Sequence, residues 1–495
     1  MIKMNFKYEK YKNGIEITAC ENTEENIVIP QQIDGQKVIK IGSQVFKRNK
    51  IKTVLLPEGI EEIGKKAFSL SSVKEINFPE SLKIIEESAF DSCSSLEKAF
   101  LGQNTQYIGS KAFSWCTALS EVSFPPKDFE IGEKAFSFCN SLKNVVFKEG
   151  ITQIGKGAFS VCGGIERLAL PKSVKKINVQ AFEGCENLKE IILSEGLKEI
   201  DGWAFRECSA TENIYIPDTV EKIGEGAFLG CENLKNVHIS ENITEIDGWV
   251  FGKCSCLKQI TVPYGVKKIG DFAFSRCKAV KNFNIPDTVE SVGASAFSVC
   301  DSAEEIKFGK NFKHFEKRAV EMSHNLKTVA IPYTAEEITT DTFYDCPKLN
   351  GINVLTENTS IYVPFTPQGL EFIKTLKNGL DYSKYDSLFY SANKEMKTNM
   401  AFFRLFENTC QNETAEEVYK KHLFENSLEI AQDLIEKNDI AKITFMGETK
   451  LLPKENTEYL IEFSSKKDSL CTGYLIEYKH ENFGKVQSAR NRFRL

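Results

Sequence analysis

The stretch DTVEKIGEGAFLGCENLKNVHI, residues 218–239, recurs in altered form through most of the chain. Aligned on Phe228, the copies place an aromatic anchor at regular intervals, and from Phe90 onward every step is 23 residues. The anchors are Phe46, Phe68, Phe90, Phe113, Phe136, Phe159, Phe182, Phe205, Phe228, Phe251, Phe274, Phe297, Val320 and Phe343. A fixed period of this kind predicts a solenoid, in which each unit buries its apolar face only against its neighbours. About fourteen units of 22–23 residues account for most of residues 30–355.

The residues after the anchor predict a strand in every unit. In LKNVHI, residues 234–239, apolar Val237 and Ile239 alternate with polar neighbours. A period of two places alternate side chains on opposite faces of a strand. Equivalent strands of successive units are expected to pair in parallel, with the apolar side in the core and the polar side free.

The residues before the anchor predict a tight corner. Glycine stands four positions before the anchor in eight units, and Asn178, Asp201 and Asp247 replace it in three others. Because these residue types tolerate positive φ, we expect a left-handed turn at this position. The alanine that usually directly precedes the anchor indicates that backbones approach closely there.

Eleven of the fifteen cysteines lie three positions after the anchor and therefore form a column. They are Cys93, Cys116, Cys139, Cys162, Cys185, Cys208, Cys231, Cys254, Cys277, Cys300 and Cys346, with Ser323 in the remaining slot. A tetrahedral zinc site gathers its ligands around one point, so a column does not suit it. Disulfides between neighbouring units remain conceivable, because the expected Cα separations permit them. The favoured interpretation is a column of small buried thiols that hydrogen-bond to carbonyl groups.

Composition and charge narrow the function classes. The net charge of -6 and the pI near 5.7 argue against a nucleic-acid partner, which usually meets a basic face. The chain has no run of about 18 uncharged apolar residues that could span a membrane, and its start has no secretion signal, so a cytoplasmic location is expected. Near-matches to a phosphate loop, such as GITQIGKG at 150–157, lack the hydroxyl residue and arise from the repeat itself. The sequence therefore predicts no enzyme activity and no cofactor or metal.

The unit pattern Leu-x-x-Ile-x-Ile-Pro-x-x-Val-x-x-Ile-Gly-x-x-Ala-Phe-x-x-Cys resembles the BspA-like (Treponema pallidum type) leucine-rich repeat family. The resemblance covers about two thirds of the chain and keeps one register through a dozen units. It implies an α/β fold, a right-handed leucine-rich solenoid that binds proteins and is often found on bacterial surfaces. It brings no catalytic residues, and it makes a cell-surface location the alternative to the cytoplasm.

The two ends of the chain depart from the repeat. Residues 1–30 are predicted to form an N-terminal β cap, with FKYEKYKNGIEITAC folding as two strands around a type I′ turn at Asn13-Gly14. Residues 31–366 are predicted to form the solenoid, and residues 367–495 are predicted to be an all-α module of four to six helices, as in SLEIAQDLIEKNDI at 427–440. LEIAQDLIEKNDI and GYLIEYKHENF resemble the helix pairs of divergent ankyrin-type repeats.

The free sheet face holds the candidate binding residues. Ten residues after the anchor, Val146, Ala169, Ile192 and Tyr215 stack into an apolar strip that His238 continues, and Arg167 lies at its margin. Such a strip is typical of a protein-binding surface, and its alternative explanation is the strand propensity of Val and Ile.

A second aromatic feature, Trp203 and Trp249 two residues before their anchors, is interpreted as packing rather than as a partner anchor. We predict a monomeric, non-catalytic scaffold that binds an unidentified protein. An exported adhesin and an enzyme with its site in the helical tail are the alternatives.

Overall fold

The computed structural model describes residues 6–21, 24–126, 128–336, 338–357, 359–467 and 469–484. The chain divides into two compact units. The first comprises Met1–Leu326 with Thr334–Lys348, and the second comprises Lys327–Tyr333 with Leu349–Leu495. The predicted division into a cap 1–30, a solenoid 31–366 and a module 367–495 stays a prediction.

From Lys98–Phe100 onward, the first row of strands in the solenoid lies eight to ten residues after the anchors. The row is divided into several sheets, and within each sheet the strands pair in parallel and in register, so equivalent residues of successive units are direct neighbours, as Val122, Val145 and Leu168 are. The row comprises Asn26–Val28, Thr53–Leu55, Glu75–Ile76, Lys98–Phe100, Glu121–Ser123, Asn144–Val146, Arg167–Ala169, Glu190–Ile192, Asn213–Tyr215, Asn236–His238, Asn282–Asn284 and Glu305–Lys307. The middle residue of most strands is buried and its neighbours are exposed, as the alternation of apolar and polar residues predicted.

The second row of strands ends five residues before the anchors. These two-residue strands also pair in parallel, and their isoleucines point into the core. The row comprises Glu62–Ile63, Ile84–Ile85, Tyr107–Ile108, Glu130–Ile131, Gln153–Ile154, Lys176–Ile177, Glu199–Ile200, Lys222–Ile223, Glu245–Ile246, Lys268–Ile269, Ser291–Val292 and His314–Phe315. The 3₁₀ helix Thr340–Phe343 also belongs to the first unit.

A third set of bonds joins successive units through the turn that carries the anchor. The amide of Phe205 donates to the Ala227 carbonyl at 2.8 Å, and the amides of Trp203 and Glu207 donate to the same following unit at 2.9 and 2.7 Å. Trp203 and Glu207 both have positive φ, at 55° and 59°. The same two positions, two before and two after the anchor, are left-handed in almost every unit. The left-handed conformation at these two positions points the amides of alternate residues at the next unit, where they donate to its carbonyl groups.

The predicted left-handed turn at the glycine four residues before the anchor is wrong. Gly109, Gly132 and Gly224 are absent from the residues with positive φ. What they require is space: a Cβ on Gly132 would lie 2.7 Å from the Ser110 nitrogen, and one on Gly224 would lie 2.5 Å from the Gly202 nitrogen. In the units that have glycine at this corner, the backbone of the preceding unit approaches too closely for a Cβ, whereas the units with Asn178, Asp201 and Asp247 accommodate a side chain.

The anchors form one continuous stack. From Phe46 to Phe297 the rings of successive anchors lie 5.0–5.9 Å apart at centroid and within 16° of parallel. All of them are fully buried or nearly so. Burying a phenylalanine stabilises a fold by about 1.5–3 kcal/mol, so this spine supplies a large part of the core.

The N-terminal strands close the start of the solenoid. Phe6–Tyr11 and Gly14–Cys20 form the predicted antiparallel hairpin, and Gly14–Cys20 then pairs in parallel with Gln36–Ile41. Gln32–Ile33 folds back antiparallel on Gln36–Ile41. The predicted type I′ turn at Asn13-Gly14 is wrong, because Tyr11 pairs with Gly14 and Lys12, but not Asn13, has positive φ.

The second unit contains three strands and the helical region. Thr328–Pro332 pairs in parallel with Gly351–Leu355, which pairs antiparallel with Ser360–Pro364. The α-helices are α1 Pro367–Thr375, α2 Tyr382–Ser387, α3 Lys394–Leu405, α4 Glu413–Glu425, α5 Ser427–Glu436, α6 Ile440–Glu448, α7 Lys454–Lys466 and α8 Cys471–Phe483, and two 3₁₀ helices are Leu376–Asn378 and Leu388–Ser391. The described residues thus hold eight α-helices where four to six were predicted.

Several of these helices begin at side chains that cap them. Thr366, Asp381, Asn393, Asn412 and Asp439 each accept a hydrogen bond from an amide of the first helical turn. Such caps satisfy amides that have no partner within the helix. The fold is therefore a parallel-sheet solenoid followed in sequence by a helical C-terminal region, and the predicted fold class is confirmed. The ankyrin-like interpretation of the helices stays a prediction.

Candidate protein-binding face

The structure brings the predicted binding residues together in one column of the first strand row. Val146 pairs with Ala169, and Ala169 pairs with Ile192. Tyr215 pairs in the same way with His238. Adjacent strands lie about 4.8 Å apart, so these side chains are close enough to touch along the column.

The column is open to solvent. Val146, Ile192 and Tyr215 are 65%, 40% and 53% exposed, and Ala169 is half-buried. The opposite face of the same strands is in the core, where Val145, Leu168 and Ile191 are buried. The exposed apolar residues therefore lie on the solvent face, and burial inside this chain does not explain them.

Tyr215 and His238 form a flat aromatic pair at the end of the column. Their rings lie 4.5 Å apart and 9° from parallel. The Nε2 atom of His238 lies 3.5 Å from Oδ1 of Asp218 and has no hydrogen bond of good geometry within the described residues. The pair offers a partner one aromatic surface with a polar edge.

The neighbouring column carries polar side chains that are paired with one another. Arg167 donates to Glu190 at 2.8 Å, and both side chains are more than half exposed. The amide of Asn236 donates to the amide oxygen of Asn213 at 2.7 Å. Exposed ion pairs of this kind stabilise the fold by about 0–1 kcal/mol, so the Arg167 guanidinium can exchange its partner at little cost.

Other exposed apolar residues precede the predicted strip in the first strand row, separated from it by polar Ser123. Val28 pairs with Leu55 across parallel strands, and each is 55% exposed. Phe100, which pairs with Ser123, is 52% exposed in the same column. The irregular spacing before Phe90 places Val28 and Leu55 outside the 23-residue register, which is why sequence alignment missed them. Beyond His238 the column becomes polar at Thr261, Asn284 and Lys307.

The tryptophans that the sequence singled out lie on the turns, away from this column. The rings of Trp249 and Phe272 stack at 4.2 Å. The indole of Trp203 covers Gly226, because a Cβ at that glycine would lie 2.5 Å from the indole Cδ1. Both tryptophans are half-buried, in agreement with the packing interpretation.

The column cysteine in the unit that carries His238 is buried and weakly acidic. Cys231 is buried, and burial raises the pKa of its thiol to about 12. Its Sγ donates to a backbone carbonyl, as predicted for the column. The described part of the chain contains no group of three or more His, Cys, Asp or Glu side chains placed to hold a metal ion. In that same part, no helix has the length and apolar character that crossing a membrane requires.

A repeated unit with a parallel strand, a glycine corner and a buried anchor defines a leucine-rich repeat protein. The family model described as the BspA type leucine rich repeat region, with six copies, matches residues 39–166, 152–281 and 249–364. The chain belongs to this BspA-type leucine-rich repeat family, which confirms the resemblance. A search of the curated proteins gives no match.

Solved structures of bacterial leucine-rich repeat proteins resemble this chain. A leucine-rich repeat protein from Bacteroides ovatus is 24% identical with a TM-score of 0.57, and the match covers 72% of this chain and 98% of that one. A leucine rich cell surface protein from Faecalibacterium prausnitzii is 26% identical with a TM-score of 0.37, covering 61% and 93%. The T. pallidum leucine rich repeat protein is 27% identical with a TM-score of 0.31, covering 46% and 87%. The Bacteroides ovatus protein shares the fold.

Proposed function

We propose that this protein is a non-catalytic, monomeric scaffold that binds a protein partner through the apolar column of the first strand row. This apolar column consists of Val146, Ala169, Ile192, Tyr215 and His238, and Arg167 lies beside it. Leucine-rich repeat domains generally mediate protein interactions, and the family generally lacks catalysis. The observation that carries the proposal is the run of exposed apolar side chains on a solvent face.

The energetics favour Ile192 and Tyr215 as the centre of the contact. Binding energy concentrates in a few apolar or aromatic residues near the middle of an interface, with a polar rim that excludes water. Ile192 and Tyr215 lie between the aliphatic end at Val146 and the aromatic end at His238. Arg167 and Glu190 would supply part of the rim.

The test removes the apolar surface without disturbing the core. Ile192→Asp with Tyr215→Ala should reduce partner capture by immobilised full-length protein at least a hundredfold, because two central contacts of about 2 kcal/mol each are lost. Thermal unfolding should move little, since both side chains are exposed. Captured proteins are identified by mass spectrometry, and the affinity is then measured with the purified partner.

The same column provides a matched control. Asn284→Asp with Lys307→Ala changes two exposed residues at equivalent positions in its polar end. This variant should capture the partner like the wild-type protein. Equal capture by the Ile192/Tyr215 variant and by the wild type would refute the proposal, as would a large loss of stability in that variant.

Location distinguishes the scaffold from the adhesin alternative. We propose a cytoplasmic scaffold, and an adhesin exported by an unrecognised route is the second candidate because proteins with BspA-type repeats are often surface-associated. Cell fractionation with protease treatment of intact cells separates the two. Digestion of the protein in intact cells would support the adhesin and contradict the scaffold.

A further inference from the structure

A second row of exposed apolar side chains lies on the turns of the solenoid, two residues after the anchors. Leu70, Trp115 and Val161 are 46%, 48% and 37% exposed, and Phe138 between the last two is half-buried. The rings of Trp115 and Phe138 stack, with their centroids 4.1 Å apart and their planes 5° from parallel. Ser92 interrupts the row between Leu70 and Trp115. The four apolar side chains form the turn ridge.

The ridge residues adopt a backbone conformation that favours glycine. Trp115 has a φ of 60°, and Val161, although it is β-branched, has a φ of 57°. Glycine fills the same position in the next unit as Gly184, at a φ of 71°. Since glycine has no Cβ to clash, it adopts this conformation at the lowest cost. The hydrogen bonds of the turn therefore explain the left-handed backbone but not the choice of large apolar side chains.

Packing within the chain uses only part of these side chains. The amides of Trp115 and Phe138 donate to the next unit at 2.8 and 2.9 Å, which places their rings side by side on successive turns. Stacking covers one face of each ring, and about half of the Trp115 side chain still meets solvent. The ridge is thus an apolar surface that the chain itself leaves open.

A row of lysines runs beside the ridge. Lys66, Lys111 and Lys134 lie two residues before the anchors, in the same turns as Leu70, Trp115 and Phe138. Lys111 is exposed, and the other two lysines are half-buried. Across the ranges that the structure describes, none of the three ammonium groups forms a salt bridge. These three side chains form the lysine column.

The carboxylates of the same turns do not cancel this charge. Glu87 pairs with Lys65 at 2.7 Å, and Glu133 pairs with Lys156 at 3.7 Å. Asp91 is half-buried, and burial raises the pKa of its carboxyl. Even with Asp91 ionised, three ammonium groups face one carboxylate. The net charge of -6 belongs to the whole chain, but charges act over only about 10 Å at 0.1 M salt, so the local excess is positive.

We propose that the turn ridge and the lysine column attach this protein reversibly to a membrane surface that contains anionic lipids. Apolar side chains enter the boundary between headgroups and acyl chains, where tryptophan is especially favoured, and lysines meet the anionic headgroups. The ridge side chains project from the tips of turns. A projecting row suits a fluid bilayer, whereas a protein partner would have to supply a complementary pocket for each side chain.

Flotation of the full-length protein with lipid vesicles tests the proposal. One set of vesicles is pure phosphatidylcholine, and the other contains about 30 mol% phosphatidylglycerol. We expect flotation with the anionic vesicles at millimolar lipid and about 0.1 M salt, and a marked loss at about 0.5 M salt, because salt screens the lysines. Equal flotation with the two kinds of vesicle, or none with either, would overturn the proposal.

Tryptophan fluorescence reports whether the ridge enters the bilayer. Trp115 is one of three tryptophans, so the wild-type emission should shift to shorter wavelength with anionic vesicles. Trp115→Phe keeps an aromatic side chain and should still float, but its emission should not shift. An unshifted wild-type emission would mean that the protein is held by charge alone, which contradicts the role of the ridge.

Two variants separate the contributions of the ridge and the lysines. Trp115→Gly with Phe138→Gly should weaken vesicle binding by about tenfold or more. Its melting temperature should change little, because glycine suits the left-handed backbone and offsets the lost stacking. Lys111→Gln with Lys134→Gln leaves the ridge intact and should weaken binding by about fivefold for each lysine.

The matched controls lie on the strand face. Lys189→Gln with Lys235→Gln removes two exposed lysines that are paired with glutamates, and Ile192→Ser with Tyr215→Ser removes two exposed apolar side chains. Both controls should float like the wild type. Wild-type flotation by the lysine-column variant would refute the proposal. Capture of an acidic protein that depends on Trp115, without any vesicle binding, would refute it as well and assign the ridge to a protein partner.

Discussion

The thiol of Cys231 donates a hydrogen bond to the backbone carbonyl of Phe205, the anchor of the preceding unit, with Sγ and O 3.4 Å apart. Cys208 makes the same bond to Phe182, and Cys254 makes it to Phe228. Ser323 occupies this slot in the unit that lacks a cysteine, and its hydroxyl donates to Phe297 at 3.2 Å. The slot therefore selects a small side chain that can donate a hydrogen bond, which explains the column without metal or disulfide chemistry.

Native thiol labelling should distinguish three cysteines from the other twelve. Cys20, Cys256 and Cys410 are partly exposed, and the remaining thiols are buried. Burial also raises the pKa of column thiols such as Cys93 and Cys277 to about 12, so the reactive thiolate is scarce near neutral pH. Titration with a thiol reagent should therefore give about three rapid equivalents in buffer and fifteen after denaturation. Rapid reaction of most thiols in the native protein would contradict the buried column.

The two kinds of glycine in the turn should respond differently to alanine. A Cβ at Gly132 would meet backbone atoms of the preceding unit at 2.7 and 2.8 Å. At Gly157 the φ is +58° and the nearest atom is the flexible Lys134 side chain at 3.1 Å. Gly132→Ala should lower the free energy of unfolding by about 3 kcal/mol and Gly157→Ala by about 1 kcal/mol, measured by urea denaturation. A larger loss at Gly157 would show that conformation, rather than space, governs these corners.

The sequence predicts features of this fold that repeat, because each is a local consequence of one unit. The anchor period, the strand alternation around Val237 and the cysteine column all follow from side-chain type at a fixed spacing. The left-handed residues could not be predicted in this way. Trp203 and Glu207 have positive φ although neither type favours it, because their amides must reach the next unit.

The sequence predicted candidate binding residues only where those residues occupy equivalent positions of the repeat. The column from Val146 to His238 could be placed because strand registry follows from the period. Val28 and Leu55 were not predicted, because the units that contain them differ in length from the 23-residue unit.

Glu62 should make the N-terminal cap sensitive to acid. Its carboxylate is buried, accepts from Tyr11 at 2.8 Å, and also accepts from Lys12. Burial alone would raise the pKa of Glu62, but the hydrogen bonds from Lys12 and Tyr11 outweigh it and hold the pKa below its ordinary value. A carboxyl whose pKa is lowered by folding stabilises the fold above its unfolded pKa of about 4.3, and this contribution is lost as pH falls through the folded value.

Replacing Glu62 tests this acid sensitivity. The wild-type protein should lose more stability than Glu62→Gln when the pH is lowered from about 5 to about 3, because only the wild type loses a charged partner of Lys12. Urea midpoints measured at several pH values give the two curves. Parallel curves across this window would contradict a role for Glu62 in acid stability.

Arg404 and Asp386 should be strongly coupled in the helical region. The Arg404 side chain is 1% exposed, its Nε and Nη2 donate to the two carboxylate oxygens of Asp386 at 2.9 and 3.1 Å, and Tyr419 donates to Asp386 at 2.7 Å. Removing one member of a buried pair leaves the other charge without compensation and costs about 3–5 kcal/mol. Arg404→Met and Asp386→Leu should each destabilise the fold by this amount, as followed by far-UV circular dichroism in urea.

The double variant decides whether the charges act as a pair. Arg404→Met with Asp386→Leu removes both charges, so it should cost at least about 1 kcal/mol less than the sum of the single variants. Asp433 on α5 and Lys437, which directly follows α5, form an exposed ion pair that serves as the matched control. Disrupting this pair should lower the free energy of unfolding by about 0.3–0.5 kcal/mol. Additive losses at Arg404 and Asp386 would mean that each side chain stabilises the helices through separate contacts, such as the 4.0 Å packing of the Arg404 guanidinium on the Tyr382 ring.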